Sequence, residues 1–471
     1  MMTDLYQLTM MYGYYKTNTH RKEAVFDMFF RKSRENSAYA IAAGLEQVID
    51  YIKNLHFDEE DIQYLDSLHL FDGDFLAQLR ELRFTGDIYA VPEGTVVFPN
   101  EPILRVKAPL FEAQLVETAI LNIINHQTLI ATKASRVVFA AQSNSVMEFG
   151  LRRAQGPDAG VLGARAAVIG GCHSTSNVMA GQRFGIPVSG THAHSWVMSF
   201  PSEYEAFLAY AELYPQNCLL LVDTYDTLKS GVPNAIKVFK LLREQGYEPT
   251  GIRLDSGDLA YLSRQARKMM DEAGFPKAKI FASGDLDENL IWSLKSQGAR
   301  IDVWGVGTKL ITSAGRYALG GVYKMSALEE NGALVPKMKL SDNPEKITLP
   351  GAHEVYRLYD ENNMAIADLI TLQEERIDFT RPLTIFHPQD TWKKMRLENY
   401  TARKLLEPMI KAGQDVGENP TLPEIQAYRE REEQTIWEQH LRLVNPQPYK
   451  VDLSDKLWQL RESLIHGQHE A

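Results

Sequence analysis

From Ser145 onward the chain alternates short runs of Val, Ile and Leu with amphipathic helical patterns, and this alternation constrains the fold more than any other feature. The runs are Val146–Phe149, Ala166–Ile169, Ile186–Val188, Leu219–Val222, Gly251–Leu254, Lys279–Ala282 and Asp302–Val306. Helix-period segments at Glu203–Leu213, Ala235–Gln245, Leu259–Ala273 and Glu288–Gln297 lie between several of them. Repeated βα units predict a parallel sheet with helices outside it, closed as a barrel or open and doubly wound. An irregular (β/α) barrel fits the number of runs better. No GxGxxG opens a helix after the first run, which counts against the dinucleotide-binding alternative.

The flanking segments read differently. Asp4–Tyr15 and Ile41–Asn54 have helical periodicity, Ile88–Val106 alternates strands with turn residues as a hairpin does, and a long helix is expected from Phe111 to Ala141. After Gly320 the βα rhythm ends. Lys337–Gly351 is polar and turn-rich, Val355–Tyr359 is β-like, and helices are expected near Arg396–Ala412 and Ile425–Leu441. The expected organisation is a mixed α/β domain over 1–140, the barrel over 141–325, and a C-terminal extension over 326–471 that packs partly on the N-terminal domain.

Bulk composition narrows the class. Hydrophobic residues make up 44% and charged residues 24% of 471, so the chain can bury a core without covalent staples. A net charge of −11 argues against nucleic-acid and anionic-membrane partners. Two cysteines, Cys172 and Cys218, exclude a disulfide scaffold and a four-cysteine zinc site. No apolar run approaches the ~20 residues of a membrane-spanning helix, and MMTDLYQLTM lacks the features of a signal peptide, so a cytoplasmic protein is expected.

Six runs end in polar or glycine-rich clusters: Glu148–Arg153, Gly190–Ser195 (GTHAHS), Val222–Thr227, Arg253–Asp258, Ser283–Asp287 and Gly305–Thr308. Any one of them can be read as a capped helix start. Six at equivalent strand ends point to the functional face of a barrel. SGD and GVGT offer backbone N–H groups to a phosphate, and Arg152, Arg153 and Arg253 add charged donors. Asp223, Asp226, Asp255, Asp258 and Asp285 outnumber those arginines, which predicts Mg²⁺ between carboxylate and phosphate, or contacts to sugar hydroxyls. His194 has no evident set of further zinc ligands and reads as an acid/base or phosphoryl-accepting group. Phe149 either packs in the core or forms a wall for a flat aromatic ligand.

In this order, TDLYQLTM (Thr3–Met10), EFGLRRAQGPD (Glu148–Asp158), STSNV (Ser174–Val178), GTHAHS, RLDSGD, GVGT, GGVYK (Gly320–Lys324) and KLSDNPEKITLPG (Lys339–Gly351) resemble the nicotinate phosphoribosyltransferase family over nearly the whole chain. The resemblance implies an N-terminal α/β domain wrapped on an irregular barrel and a homodimer with shared active sites. It implies transfer of phosphoribosyl from phosphoribosyl pyrophosphate to nicotinate, with ATP as co-substrate, Mg²⁺ and a phosphohistidine, in NAD salvage. By position, His194 would be the phosphorylated residue. Tyr6 from the partner subunit and Thr191 would contact nicotinate, with Phe149 stacked on its ring. Arg253 would lie between base and phosphates. Arg152, Asp255, Gly284, Asp285, Gly307 and Thr308 would hold the phosphoribosyl part, with Asp255 and Asp285 as the expected Mg²⁺ ligands.

Two rivals remain. Nicotinamide-using phosphoribosyltransferases resemble this chain but carry an Asp in the stretch matching Ser174–Asn177, where Ser-Thr-Ser-Asn has no carboxylate. Ser176 is the expected reader of the base. A phosphosugar aldolase or isomerase barrel would need a Schiff-base Lys or a lone Glu at a strand end. The one strand-end lysine, Lys309, sits in a phosphate-binding context.

Overall fold

Short parallel strands with long helical returns need every backbone group of the crossover satisfied locally, so the caps are informative. In the computed structural model, which describes residues 1–31, 38–341, 346–390 and 392–469, Asp258 accepts from the Tyr261 N–H at 2.9 Å to start the helix Leu259–Glu272. Asp287 does the same for Glu288–Ser296 through the Leu290 N–H at 2.8 Å. Ser202 starts Glu203–Leu213 through the Glu205 N–H at 3.3 Å. These side chains satisfy N–H groups that have no partner within their own helix.

The chain divides into two units, one of Ile130–Tyr317 and one of Met1–Leu129 with Ala318–Ala471. In the first, the strand order is Ser174–Thr175, Ser145–Glu148, Val303–Val306, Lys279–Ala282, Gly251–Leu254, Leu219–Leu221, with all neighbours parallel. Thr175 also bridges in parallel to Val188. Seven chain segments thus follow one another in barrel order. The barrel is irregular: no ladder joins Val188 to Leu219–Leu221. Leu219, Phe281, Val303 and Met147 pack together, and they share the two-residue repeat that includes Arg253.

One expected strand is corrected. Ala166–Ile169 belongs to the helix Pro157–Ile169, and the strand of that unit is Ser174–Thr175. Pro157 presets the first turn and the alanines that follow are strong helix formers, so an apolar run buried all round passes for a strand. The helix packs so closely that a Cβ on Gly170, its C-cap, would lie 2.3 Å from the Ala131 carbonyl oxygen.

The second unit holds two large sheets. One runs Ala333–Pro336, Gly321–Glu330, Glu23–Phe30, Leu104–Pro109, Asp87–Ala90, Glu407–Lys411, Gln414–Asp415, and its pairings are antiparallel. The other runs Lys394–Leu397, Leu383–Phe386, Val451–Leu453, Ala365–Leu372, His353–Tyr359, Thr401–Lys404. The expected hairpin exists as Asp87–Ala90 against Leu104–Pro109, but Val96–Val97 between them pairs with Ala40–Ile41 instead. The expected helix near Arg396–Ala412 is wrong: this stretch forms the strands Lys394–Leu397, Thr401–Lys404 and Glu407–Lys411, because pairing with the two sheets overrides local propensity. The helices expected at Phe111–Ala141 and Ile425–Leu441 are each broken in two, at Val116 and after Gln434. Of Lys339–Gly351, positions 342–345 lie outside the described residues. No helix among the described residues is long and apolar enough to cross a membrane.

Arg357 anchors this unit. It is fully buried and donates to Asp368 at 2.9 and 2.7 Å, to Glu432 at 3.1 Å and to the Val96 carbonyl at 2.7 Å. Removing it leaves the buried Asp368 without its cation, while Glu432 keeps Arg403 at 2.8 and 2.7 Å. Arg357→Ala is expected to cost about 3–5 kcal/mol, the usual range for breaking a buried ion pair. Denaturant unfolding followed by far-UV circular dichroism checks this.

Candidate active site

In the barrel unit, the strand alternation that turns Arg253 inward continues past the C-terminal ends of its neighbours. Arg253 comes from Gly251–Leu254, Asp255 lies two residues on, and Ser283 follows Lys279–Ala282. The guanidinium donates to Ser283 Oγ at 2.7 Å through Nε, to Thr191 Oγ1 at 3.0 Å through Nη1, and to Asp255 Oδ1 at 2.8 Å through Nη2. One side chain therefore fastens three strand ends together. Its carbon centre lies 5.8 Å from the centroid of the Phe149 ring.

The ring is held from both sides of its strand. Phe149 N–H donates to the Val306 carbonyl at 2.8 Å. A Cβ on Gly305 would sit 2.6 Å from the Phe149 ring, so only glycine leaves the ring its place. Glu148, just before, is buried and takes the Thr175 hydroxyl at 2.6 Å and the Gly150 N–H. Burial pushes its carboxyl above the ordinary range.

Asp255 is fixed by its neighbours. Burial pushes its carboxyl up, but the Ser283 hydroxyl, the Arg253 guanidinium and His194 outweigh that, and its pKa lies below the ordinary value. Its backbone N–H donates to Asp223 Oδ2 at 2.8 Å, and the Ser256 hydroxyl donates to the same oxygen at 2.7 Å. Asp223 Oδ1 is buried and has no hydrogen-bond partner among the described residues.

His194 opens a single helical turn, His194–Met198. Its Nδ1 is 3.1 Å from Thr224 Oγ1 and its Nε2 is 3.7 Å from Asp255 Oδ2. His192 differs sharply. It is buried whereas His194 is half-buried, and burial lowers its pKa to about 4. One histidine of GTHAHS is open to a ligand and the other is built into the protein.

The remaining expected residues fall in three groups. Gly284, Asp285, Gly307, Thr308 and Ser176 lie at the ends of the same strands, with Asp285 exposed and Ser176, Gly307 and Thr308 half-buried. Gly284 has φ +119°, and a Cβ there would meet the Asp255 carbonyl oxygen at 2.8 Å, so the turn needs glycine. Arg152 is exposed on the 3₁₀ turn Leu151–Arg153. Tyr6 belongs to the other unit, 46% exposed on the helix Leu5–Lys16, with burial and Glu117 raising its pKa to about 12. That helix is tied down by Thr118 to Asp4 at 2.6 Å and Gln7 to the Gln114 carbonyl at 2.7 Å.

Ser283 and Thr224 escaped the sequence reading as individual side chains. Both lie inside the polar strand-end clusters; the inward spacing of Ser283, two residues beyond Phe281, is a signal for it, whereas Thr224, one beyond Asp223, falls off that alternation and has none. The helix-cap reading accounts for Asp226, Asp258 and Asp287, the last also paired with Lys309 at 2.9 Å.

The nicotinate phosphoribosyltransferase (NAPRTase) family model matches residues 144–379, and the models of the family's N-terminal and C-terminal domains match 1–125 and 352–461. The chain belongs to the nicotinate phosphoribosyltransferase family. It is 50% identical over 465 residues to a nicotinate phosphoribosyltransferase of Bacillus subtilis, covering 98% of this chain and 94% of that protein. It is similar in structure to human nicotinic acid phosphoribosyltransferase, with a TM-score of 0.87, 31% identity, and coverage of 99% and 100% of the two chains. A nicotinate-nucleotide pyrophosphorylase of Pyrococcus furiosus, with a TM-score of 0.70 and 23% identity over 92% of this chain and 94% of that one, shares the fold. The family motifs quoted above include the strand-end clusters whose side chains converge on Arg253.

Because the Asp255 pKa is lowered, folding favours its ionised form, and the stability from the Arg253–Asp255 pair is present above the ordinary carboxylate pKa and is lost as pH falls through the lowered value. The pH–rate profile is expected to show no Asp255 inflection above about pH 5. Asp255→Asn should lower the whole profile without shifting its limbs, which steady-state rates across pH will test.

Proposed function

We propose that the barrel site joins nicotinate to phosphoribosyl pyrophosphate, giving nicotinate mononucleotide and pyrophosphate, with ATP hydrolysis coupled through phosphorylation of His194. The observation that carries this reading is the cross-linked Arg253 beside the Phe149 ring. Three of the five guanidinium N–H groups are engaged by Ser283, Thr191 and Asp255, and two remain for an anion. A flat heteroaromatic acid matches that pairing of a ring face with an oriented cation.

The phosphoribosyl part would lie along the strand ends, with Arg152, Gly284, Asp285, Gly307 and Thr308 as its contacts. Breaking the bond from the anomeric carbon to pyrophosphate builds positive charge on the sugar and negative charge on the leaving group. Arg152 and the backbone N–H groups near Gly284 and Gly307 supply donors where the negative charge grows. Among the described residues no three His, Cys, Asp or Glu side chains converge as a metal cage. The site suits Mg²⁺ held by one or two carboxylates together with substrate phosphates. Asp255, through Oδ2, and the exposed Asp285 are the carboxylates that would hold it. When bound, it would neutralise charge on the diphosphate.

His194 suits phosphoryl transfer. A proton on Nδ1 shared with Thr224 leaves the Nε2 lone pair to attack the γ-phosphorus of ATP. The bond to the bridging oxygen breaks and ADP departs. Tyr6, exposed on its helix, is the residue we propose that a second copy of the chain contributes to the nicotinate site in a homodimer.

His194→Ala is expected to abolish ATP hydrolysis while the far-UV circular dichroism is unchanged. Labelled ATP should convert the unaltered protein, and not the variant, into an acid-labile, base-stable phosphoprotein. Normal hydrolysis by the variant would move the phosphoryl acceptor elsewhere.

The base should be the acid and not the amide. An amide would leave a charged donor unpaired, at a cost of about 1–3 kcal/mol, so nicotinate should be preferred over nicotinamide by roughly tenfold to a hundredfold in kcat/KM. Asn177 is committed to the backbone, accepting from the Ala180 N–H at 3.1 Å and donating to the Gly160 carbonyl at 3.2 Å, whereas the adjacent Ser176 side chain is half-buried. Ser176→Asp should therefore narrow the preference, and steady-state kinetics with both bases will measure it. Equal use of both bases by the unaltered protein would refute the nicotinate assignment.

A further inference from the structure

The barrel ladder is broken between Val188 and Leu219–Leu221. Along the second of these strands the N–H groups alternate in direction. Val222 N–H donates to the Arg253 carbonyl at 3.1 Å, on the paired side. Leu221 N–H therefore faces the seam, and Leu221 is 1% exposed. Its acceptor is the ring of His192, with Leu221 N to His192 Nε2 at 3.2 Å. The ring lies edge-on to Tyr210 at 4.8 Å, with Phe207 at 6.3 Å, and its own Nδ1 is 3.4 Å from the Ala193 carbonyl.

The same loop is fastened to the strand ends at its neighbouring residues. Thr191 Oγ1 donates to the His192 carbonyl at 3.1 Å and accepts from Arg253. His194 meets Thr224, three residues beyond Leu221. We propose that His192 is a positioning residue: its imidazole replaces the missing ladder hydrogen bond at the barrel seam and thereby sets where His194 stands against Thr224 and Asp255. The proposal rests on the reading of His194 given above.

A ring that accepts at Nε2 must carry its proton on Nδ1. 15N-detected NMR of the unaltered full-length protein should show His192 as the neutral Nδ1–H tautomer, unchanged between about pH 5.5 and 8, since burial holds its pKa at about 4. An Nε2–H tautomer, or titration inside that window, would overturn the proposal without any variant. His192→Phe keeps the volume and removes the acceptor, and His192→Gln keeps an acceptor. In the phenylalanine variant, amide exchange of the peptide covering residues 219–222 should rise. Its kcat should fall at least about tenfold while KM for nicotinate changes less than about twofold, because a misplaced reacting group costs rate more than binding. The glutamine variant should recover most of both. Unchanged kcat in the phenylalanine variant, or equal losses in the two variants without altered exchange, would count against positioning. A failure of labelled ATP to phosphorylate the unaltered protein would sink the His194 reading and leave the tautomer and exchange results standing.

Discussion

The candidate site is organised by one guanidinium. Arg253 ties Thr191, Asp255 and Ser283 together while lying beside the Phe149 ring. Each partner comes from a different strand end or from the next turn of its own. A parallel sheet holds its strands by evenly spaced backbone bonds, but nothing in those bonds fixes the loops beyond them. The planar fork of arginine, with donors in set directions, does that work, and a lysine at the same place would offer its three donors from one rotatable point on a flexible stem, with no set directions. Asp255 is in turn pinned through its N–H by Asp223, so the network extends to the strand that leads to Thr224 and His194.

Glycines and buried acids support this arrangement from below. Gly305 leaves room for Phe149, and Gly284 allows the turn over the Asp255 carbonyl. Glu148 bonds the Thr175 hydroxyl and the Gly150 N–H, which fixes the backbone on either side of Phe149. These residues need touch no substrate. They hold the groups that do, and each works through a contact too close or too buried to tolerate a change of size or charge.

Much of the site could be read in the sequence because strand periodicity is local. Residues two apart on a strand share a face, so Arg253 and Asp255, and Phe281 and Ser283, were bound to point the same way once the strands were recognised. The apolar run Ala166–Ile169 failed as a strand because a buried helix and a buried strand look alike over four residues, and the alanines and Pro157 upstream settle the matter for helix. The stretch Arg396–Ala412 failed because strand pairing overrides propensity, as its pairings with Tyr356–Tyr359 and Ile88–Ala90 show.

The sequence by itself determined the βα repeat, the polar clusters at the strand ends and, through long motifs in a fixed order, the family. These depend on periodicity and residue chemistry, which short windows carry. Tertiary structure alone decided that Arg253 spends three donors on three neighbours, that Asp255 is held ionised, and that His192 sits inside the protein while His194 is open. The family motif sets His194 apart, but residue chemistry alone gives the two histidines of GTHAHS the same ring. Their surroundings differ because the barrel leaves one N–H unpaired at its seam and the His192 ring is close enough to take it.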